Sequence, residues 1–218
     1  MTAVGCRGNG QLVRYCKDKP ELDSYHAVPI HSRSLVMALK PTIFKIKVSL
    51  SDLNREVYDS LSLTLAQHPS ETTERMMVRL LAYCLNSSET LVLCKGLSDT
   101  DEPDLWDLSP TGETELWVEV GEPSAERVKK ATRMAKQVVV YCFNSKAPTW
   151  WNLEASKLSS EKLAVFQLPW PEVQALANLV ERTMDISVTV SGDSVFVATA
   201  KGEQEVTLTA LKNSERFS

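Results

Sequence analysis

Residues 114–143 read TELWVEVGEPSAERVKKATRMAKQVVVYCF. From Thr114 to Val120 the residues alternate, with Leu116, Val118 and Val120 on one face and Glu115, Trp117 and Glu119 on the other, which is the period of a strand. Pro123-Ser124 then opens a helix predicted to run to about Lys136, its core side made by Val128, Ala131 and Ala135. Val138 to Phe143 is a continuous apolar run, as expected of a strand covered on both faces. Strand, helix and covered strand in this order place the chain in the α/β (α+β) class, a mixed β-sheet flanked by helices.

The flanks extend this pattern. Upstream, Phe44, Ile46, Val48 and Leu50 alternate with Lys45, Lys47 and Ser49, and Leu61, Leu63 and Leu65 alternate with Ser62 and Thr64. A turn over Asp52 to Arg55 makes the pair a β-hairpin. After His68-Pro69, Ser70 is the expected N-cap of a helix whose apolar stripe is Met77, Leu80, Leu81, Cys84 and Leu85. Leu91 to Cys94 is a strand candidate, followed by an acidic stretch from Asp99 to Asp107. Downstream, Trp150-Trp151 lies in a short helical stretch, Leu163 to Leu168 forms a strand, and Pro171 opens a helix to about Arg182. Ile186 to Val190, Val195 to Ala198 and Val206 to Leu208 form a small antiparallel C-terminal meander around the Gly192-Asp193 turn.

Composition narrows the function classes. The 218 residues are 43% hydrophobic and 24% charged, an ordinary globular balance, with a formal charge of −4 that argues against a surface attracting nucleic acid everywhere. Residues 1–36 hold five basic and three acidic residues, which leaves 19 basic against 25 acidic, or −6, in the remainder. This segment, with Gly5, Gly8 and Gly10 close together, is expected to be a flexible leader, and 37–218 a single domain. Five cysteines without a CxxC pair imply reduced thiols and a cytoplasmic protein. His26, His31 and His68 lack zinc-ligand spacing. No apolar run reaches the ~20 residues of a membrane span, and no secretory signal is present.

Three carboxylates are the candidate site. At about 100° per residue, Glu74 falls about 60° from Met77, within the apolar stripe, while Glu71 lies at its edge and Arg75 points nearly opposite. Asp104 follows Pro103, whose fixed φ sets the angle at which the chain enters or flanks a strand. Glu119 shares the second strand face with Trp117, where a charge needs an ion-pair partner, a raised pKa or a bound cation. Converging carboxylates suit Mg²⁺ or Mn²⁺, leaving open positions for water and phosphate oxygens. Arg127 and Lys130, on the helix after Ser124, are the available cations. The competing reading is that these carboxylates form buried ion pairs.

The stretches MALKPTIFK (37–45), LTLAQHPSETTERMMVRLLAYCL (63–85), GLSDTDEPDLW (96–106), ELWVEVGEPSAERVKKA (115–131) and LVERTMDISVTV (179–190) resemble the YaeQ family of bacterial proteins. Met37 matches that family's usual start, so the leader is read as a mis-assigned upstream start. The resemblance implies a restriction-endonuclease-like variant of the PD-(D/E)XK core in which Glu74, Asp104 and Glu119 hold a metal. The pattern asks for a lysine two residues after the strand glutamate, and this chain has Gly121. Lys130 is the first candidate for that role, with Arg127 and Gln137 behind it, and Gln137 and Glu71 are carried as binding candidates. Two functions are expected on this basis. One is Mg²⁺- or Mn²⁺-dependent hydrolysis of DNA or RNA phosphodiesters. The other is a catalytically inactive, nuclease-derived module that binds nucleic acid or a protein partner in transcription.

Overall fold

The computed structural model describes residues 40–98 and 101–213; the expected leader lies outside them. The chain forms two sheets with one helix layer between them and another outside. The hairpin of β1 (Thr42–Asp52) and β2 (Val57–Gln67) pairs without a bulge from Thr42↔Gln67 to Asp52↔Val57. Helix α1 (Thr73–Leu85) follows, then the short strands β3 (Leu91–Leu93) and β4 (Leu105–Leu108), then β5 (Thr114–Val120). Helix α2 (Ala125–Met134) passes directly into β6 (Ala135–Cys142), and α3 (Ala147–Glu154) leads to β7 (Leu163–Gln167). Helix α4 (Trp170–Ala177) is followed by β8 (Thr183–Ser191), β9 (Ser194–Thr199), β10 (Gly202–Thr207) and β11 (Thr209–Lys212).

The first sheet has the order β10-β9-β8-β1-β2 and the second β11-β7-β6-β5-β4-β3. The strand, helix and covered strand of the 114–143 stretch are present; β5 and β6 are parallel, and β7 extends the parallel block. The C-terminal meander is present as β8, β9 and β10 but does not stand apart: β8 lies parallel to β1 and completes the first sheet. The chain then crosses over, so that β11 edges the second sheet beside β7.

The main core lies between the sheets. It joins Phe44, Ile46, Val48 and Leu50 of β1 to Leu116, Val118 and Val120 of β5 through α1 and α4. A second core, with Trp117, Val128, Ala131, Val138 and Val140, fills the space between the other face of the second sheet and α2 and α3. Enclosure by both sheets explains the burial of α1, where every residue from Met76 to Leu85 is buried. A helix covered all round has no polar side, so its wheel does not indicate which end residues face the site. The cap shifts as well, since Thr72, not Ser70, accepts the Arg75 N–H. Glu71 therefore lies before the helix. The helix's other end is held by Arg55, which donates to the carbonyls of Cys84 and Ser87 at 3.1 and 3.3 Å while paired at 2.6 Å with the fully buried Asp52.

Candidate functional site

The C-terminal end of β5 is where the functional candidates meet. Parallel strands β5 and β6 end together there, and α2 begins one short turn later, with Ser124 accepting the Arg127 N–H as N-cap. The connecting Gly121 has φ of +107°, a backbone region that L side chains rarely adopt. The turn thus accounts for glycine where a lysine is expected, since nothing lies within 4 Å of a Cβ added there and space is not the obstacle. A cleft of about 330 Å³ opens at this point. Its walls carry Arg75, Glu102, Asp104, Glu119, Glu122 and Arg127.

Asp104 is 2% exposed and is fixed through its backbone, its N–H donating to Val118 and its carbonyl accepting from Cys94. Its carboxylate accepts the Val120 N–H at 2.8 Å and one Arg75 Nη2 on both oxygens, at 2.8 and 2.9 Å. Arg75 also donates to Glu71 at 2.8 Å, and Arg79 grips the same Glu71 carboxylate at 2.9 and 3.1 Å while its Nε lies 3.5 Å from Asp104. Two buried carboxylates are thus balanced by two arginines. Burial pulls the Arg75 guanidinium down, but Asp104 and Glu71 outweigh it and hold its pKa above the ordinary value. Gly96, at φ +59°, makes room for this arrangement, because a Cβ there would sit 3.2 Å from the Arg79 guanidinium carbon.

Glu119 is 4% exposed, on the strand face where alternation puts it. Its Oε1 accepts the Trp117 indole N–H at 2.6 Å and Arg127 Nε at 2.8 Å. Burial pushes the Glu119 carboxyl above its usual value despite these donors, and the nearby charge of Asp104 adds to the rise. Arg127 also reaches back to the Glu102 carbonyl at 2.8 Å, tying α2 to the loop before Asp104. Across the cleft, Glu122 accepts the backbone N–H groups of Phe143 and Asn144 and the Asn144 side-chain amide, fixing the loop after β6. One Glu102 oxygen is buried and has no hydrogen-bond partner.

Several sequence expectations change. Asp104, Glu119 and Arg127 come together, but Glu74 does not join them. It sits half-buried in the first turn of α1 and does not line the cleft. Glu71 is the carboxylate linked to Asp104, and Arg75, expected to point away, makes that link. The wheel places Glu74 inside and Arg75 outside on the premise of one buried stripe, and α1 is instead buried all round from Met76 to Leu85. Lys130 pairs at 2.8 Å with the exposed Asp101 and does not line the cleft. Gln137 is exposed and paired in register with Leu116, three residues back from Glu119 and so about 10 Å towards the other end of the strand. Arg75 and Arg79 are not among the site residues that the sequence reading names, although their spacing of four residues puts both on one face of α1.

The donor set does not fit a carboxylate-bound Mg²⁺ or Mn²⁺. Such an ion needs converging carboxylate oxygens that are open to it, whereas the oxygens of Asp104 and Oε1 of Glu119 are engaged by arginine, indole and backbone N–H donors. Among the described residues no three His, Cys, Asp or Glu side chains are grouped to hold a metal. Nor, among them, is any helix long and apolar enough to cross a membrane.

Comparison with known proteins gives a consistent result. The family model described as YaeQ protein matches residues 37–208. The YaeQ proteins of Salmonella typhi and Escherichia coli (strain K12) are each 39% identical over 176 residues, covering 80% of this chain and 97% of the relative. The crystal structure of YaeQ from Xanthomonas axonopodis pv. citri aligns with a TM-score of 0.77 at 36% identity, covering 79% of this chain and 98% of that one. The structure from Pseudomonas syringae aligns equally well, with a TM-score of 0.77 at 36% identity over 81% and 98% of the two chains. In family model, sequence and fold alike, this chain belongs to the YaeQ family.

Proposed function

We propose that this protein is a non-hydrolytic binding module on a nuclease-like frame, and that its cleft receives a cationic side chain, lysine or arginine, from a protein partner. The observation that carries this reading is the charge of the cleft wall. Glu102, Asp104, Glu119 and Glu122 outnumber Arg75 and Arg127 by four to two, so the wall repels a phosphate and attracts an ammonium or guanidinium. The arginines compensate the innermost carboxylates where a nuclease of the PD-(D/E)XK kind would use a metal. The buried, partnerless Glu102 oxygen becomes an acceptor for a further donor once the side chain turns towards the cleft it lines.

Trp117 provides the assay, because its indole N–H is bonded to Glu119. Titration with N-acetyl-arginine methylamide and its lysine counterpart is expected to change tryptophan fluorescence saturably, and Glu102→Gln together with Glu119→Gln to abolish the change. An oligonucleotide that binds the cleft in competition with them would overturn this reading.

Metal-dependent hydrolysis is kept as a second reading for one reason. Asp104 and Glu119 open on the same cleft, close enough for the charge of Asp104 to bear on the Glu119 carboxyl. Calorimetric titration with Mn²⁺ and a cleavage assay on DNA and RNA separate the two. Cleavage that needs the metal and disappears in Asp104→Ala decides for hydrolysis; silence in both assays agrees with the binding module.

A further inference from the structure

Burial grades the cleft from charged to apolar. Asp104 and Glu119 lie deepest, whereas Leu97 at the mouth is 43% exposed, and Pro103, Val120 and Pro123 add apolar wall. A single exposed leucine is ordinary on a protein surface; its position is what singles this one out. Of the large hydrophobic side chains exposed among the described residues, Leu97 alone lines the cleft. The turn that carries it, Gly96–Ser98, is fastened to the charged wall. Just before it, Cys94 donates to the Asp104 carbonyl at 3.0 Å and accepts from Arg79 at 3.2 Å, and Gly96 abuts the Arg79 guanidinium. The leucine is thus presented by the arginine and aspartate of the buried charge cluster.

We propose, on the reading that the cleft accepts a cation, that the lysine or arginine it receives belongs to an extended segment of the partner with a large aliphatic residue two positions away, and that Leu97 selects that residue. Charge complementarity chooses the first side chain, since the lining carries four acidic residues against two arginines. Its aliphatic stem lies along the prolines while the charged head goes inward. Side chains of an extended segment alternate in direction, so the immediate neighbours of the cation point away from the cleft. The residue two positions on returns to the cleft side, about 6.6 Å along the chain, at the mouth where Leu97 stands. An aliphatic side chain there takes the exposed face of Leu97 out of water, and the gain follows the apolar area removed. A serine at the same place removes little apolar area, so the second determinant is independent of the charge.

Calorimetric titration of the full chain with two pentapeptides tests this. Acetyl-Leu-Ser-Arg-Ser-Leu-amide carries leucine on both sides of the cation, so that either chain direction is served, and acetyl-Ser-Ser-Arg-Ser-Ser-amide lacks it. The leucine peptide is expected to bind about tenfold more tightly, the scale of partly burying one leucine side chain. Leu97→Ser should bring it down to the affinity of the serine peptide, and Leu97→Met should keep most of the difference. Circular dichroism should be unchanged in both variants, because Leu97 belongs to neither core. Equal affinities of the two peptides for wild type, or a leucine advantage that survives in Leu97→Ser, overturn the inference and leave the cation-accepting cleft standing. If neither peptide binds, the cation-accepting cleft itself fails, and the inference with it.

Discussion

Replacing Arg79 with methionine tests whether α1 carries a compensated charge cluster. Arg79 is 2% exposed, contacts Glu71 at 2.9 and 3.1 Å, donates to the Cys94 carbonyl at 3.2 Å and lies 3.5 Å from Asp104. Methionine keeps the apolar stem and removes the charge. Two unit charges about 4 Å apart interact by about 4 kcal/mol at an effective dielectric near 20, and removing one partner of a buried pair costs about 3–5 kcal/mol. Arg75 remains on both carboxylates, which puts the expected loss at the lower end, about 3 kcal/mol. In urea unfolding at neutral pH, with a slope of about 2 kcal/mol/M, the midpoint should fall by about 1.5 M at unchanged slope. Adding Glu71→Gln should restore at least about 1 kcal/mol, because the orphaned charge is gone. If Arg79→Met stays within about 1 kcal/mol of wild type, or the double variant is no more stable than the single, the charge-balance argument fails.

Glu119 supplies a pH test. Burial raises its folded pKa above the ordinary glutamate value, so the folded state holds its proton more tightly than the unfolded state, and its contribution falls as pH rises through the folded value. The stability of wild type relative to Glu119→Gln should therefore increase as pH is lowered from neutrality towards 4.5; chemical denaturation at several pH values checks the sign, and an opposite slope refutes it. Arg127→Ala leaves Glu119 without its guanidinium, and because that side chain is 29% exposed solvent screening limits the loss to about 1–2 kcal/mol, measured the same way. Arg55→Met leaves the buried Asp52 without its ion-pair partner and removes the donors to the Cys84 and Ser87 carbonyls, and a drop of about 2 kcal/mol is expected in thermal or urea unfolding. Burial pushes the thiols of Cys84 and Cys142 up to about 12. A thiol reagent at mildly alkaline pH should label both only after urea is added, as read by peptide mass mapping.

Legibility in the sequence followed the number of surfaces each element presents. Strand β5 has one face on each core, so alternation placed Glu119 and Trp117 together on the correct side, and the covered run of β6 marked its parallel neighbour. Helix α2 has one buried side, and the same reasoning found Val128, Ala131 and Arg127. Helix α1 is enclosed by two sheets, and there periodicity misled: it selected Glu74 over Glu71 and turned Arg75 away from the site. Lys130 is the candidate for the lysine that the resemblance asks for and that Gly121 does not supply, but its side chain goes to Asp101, outside the cleft.

By itself the sequence determined the strand–helix–strand centre, the hairpin before it, the family, and the presence of Asp104 and Glu119 at a strand end. These follow from local periodicity, from proline and glycine, and from motifs read along the chain. Only the tertiary structure decided what compensates the carboxylates. The guanidiniums of Arg75 and Arg79 come from a helix held between two sheets, and Asp104 lies 29 residues beyond Arg75. Which charge meets which across that distance depends on how the layers stack, and no local pattern encodes it.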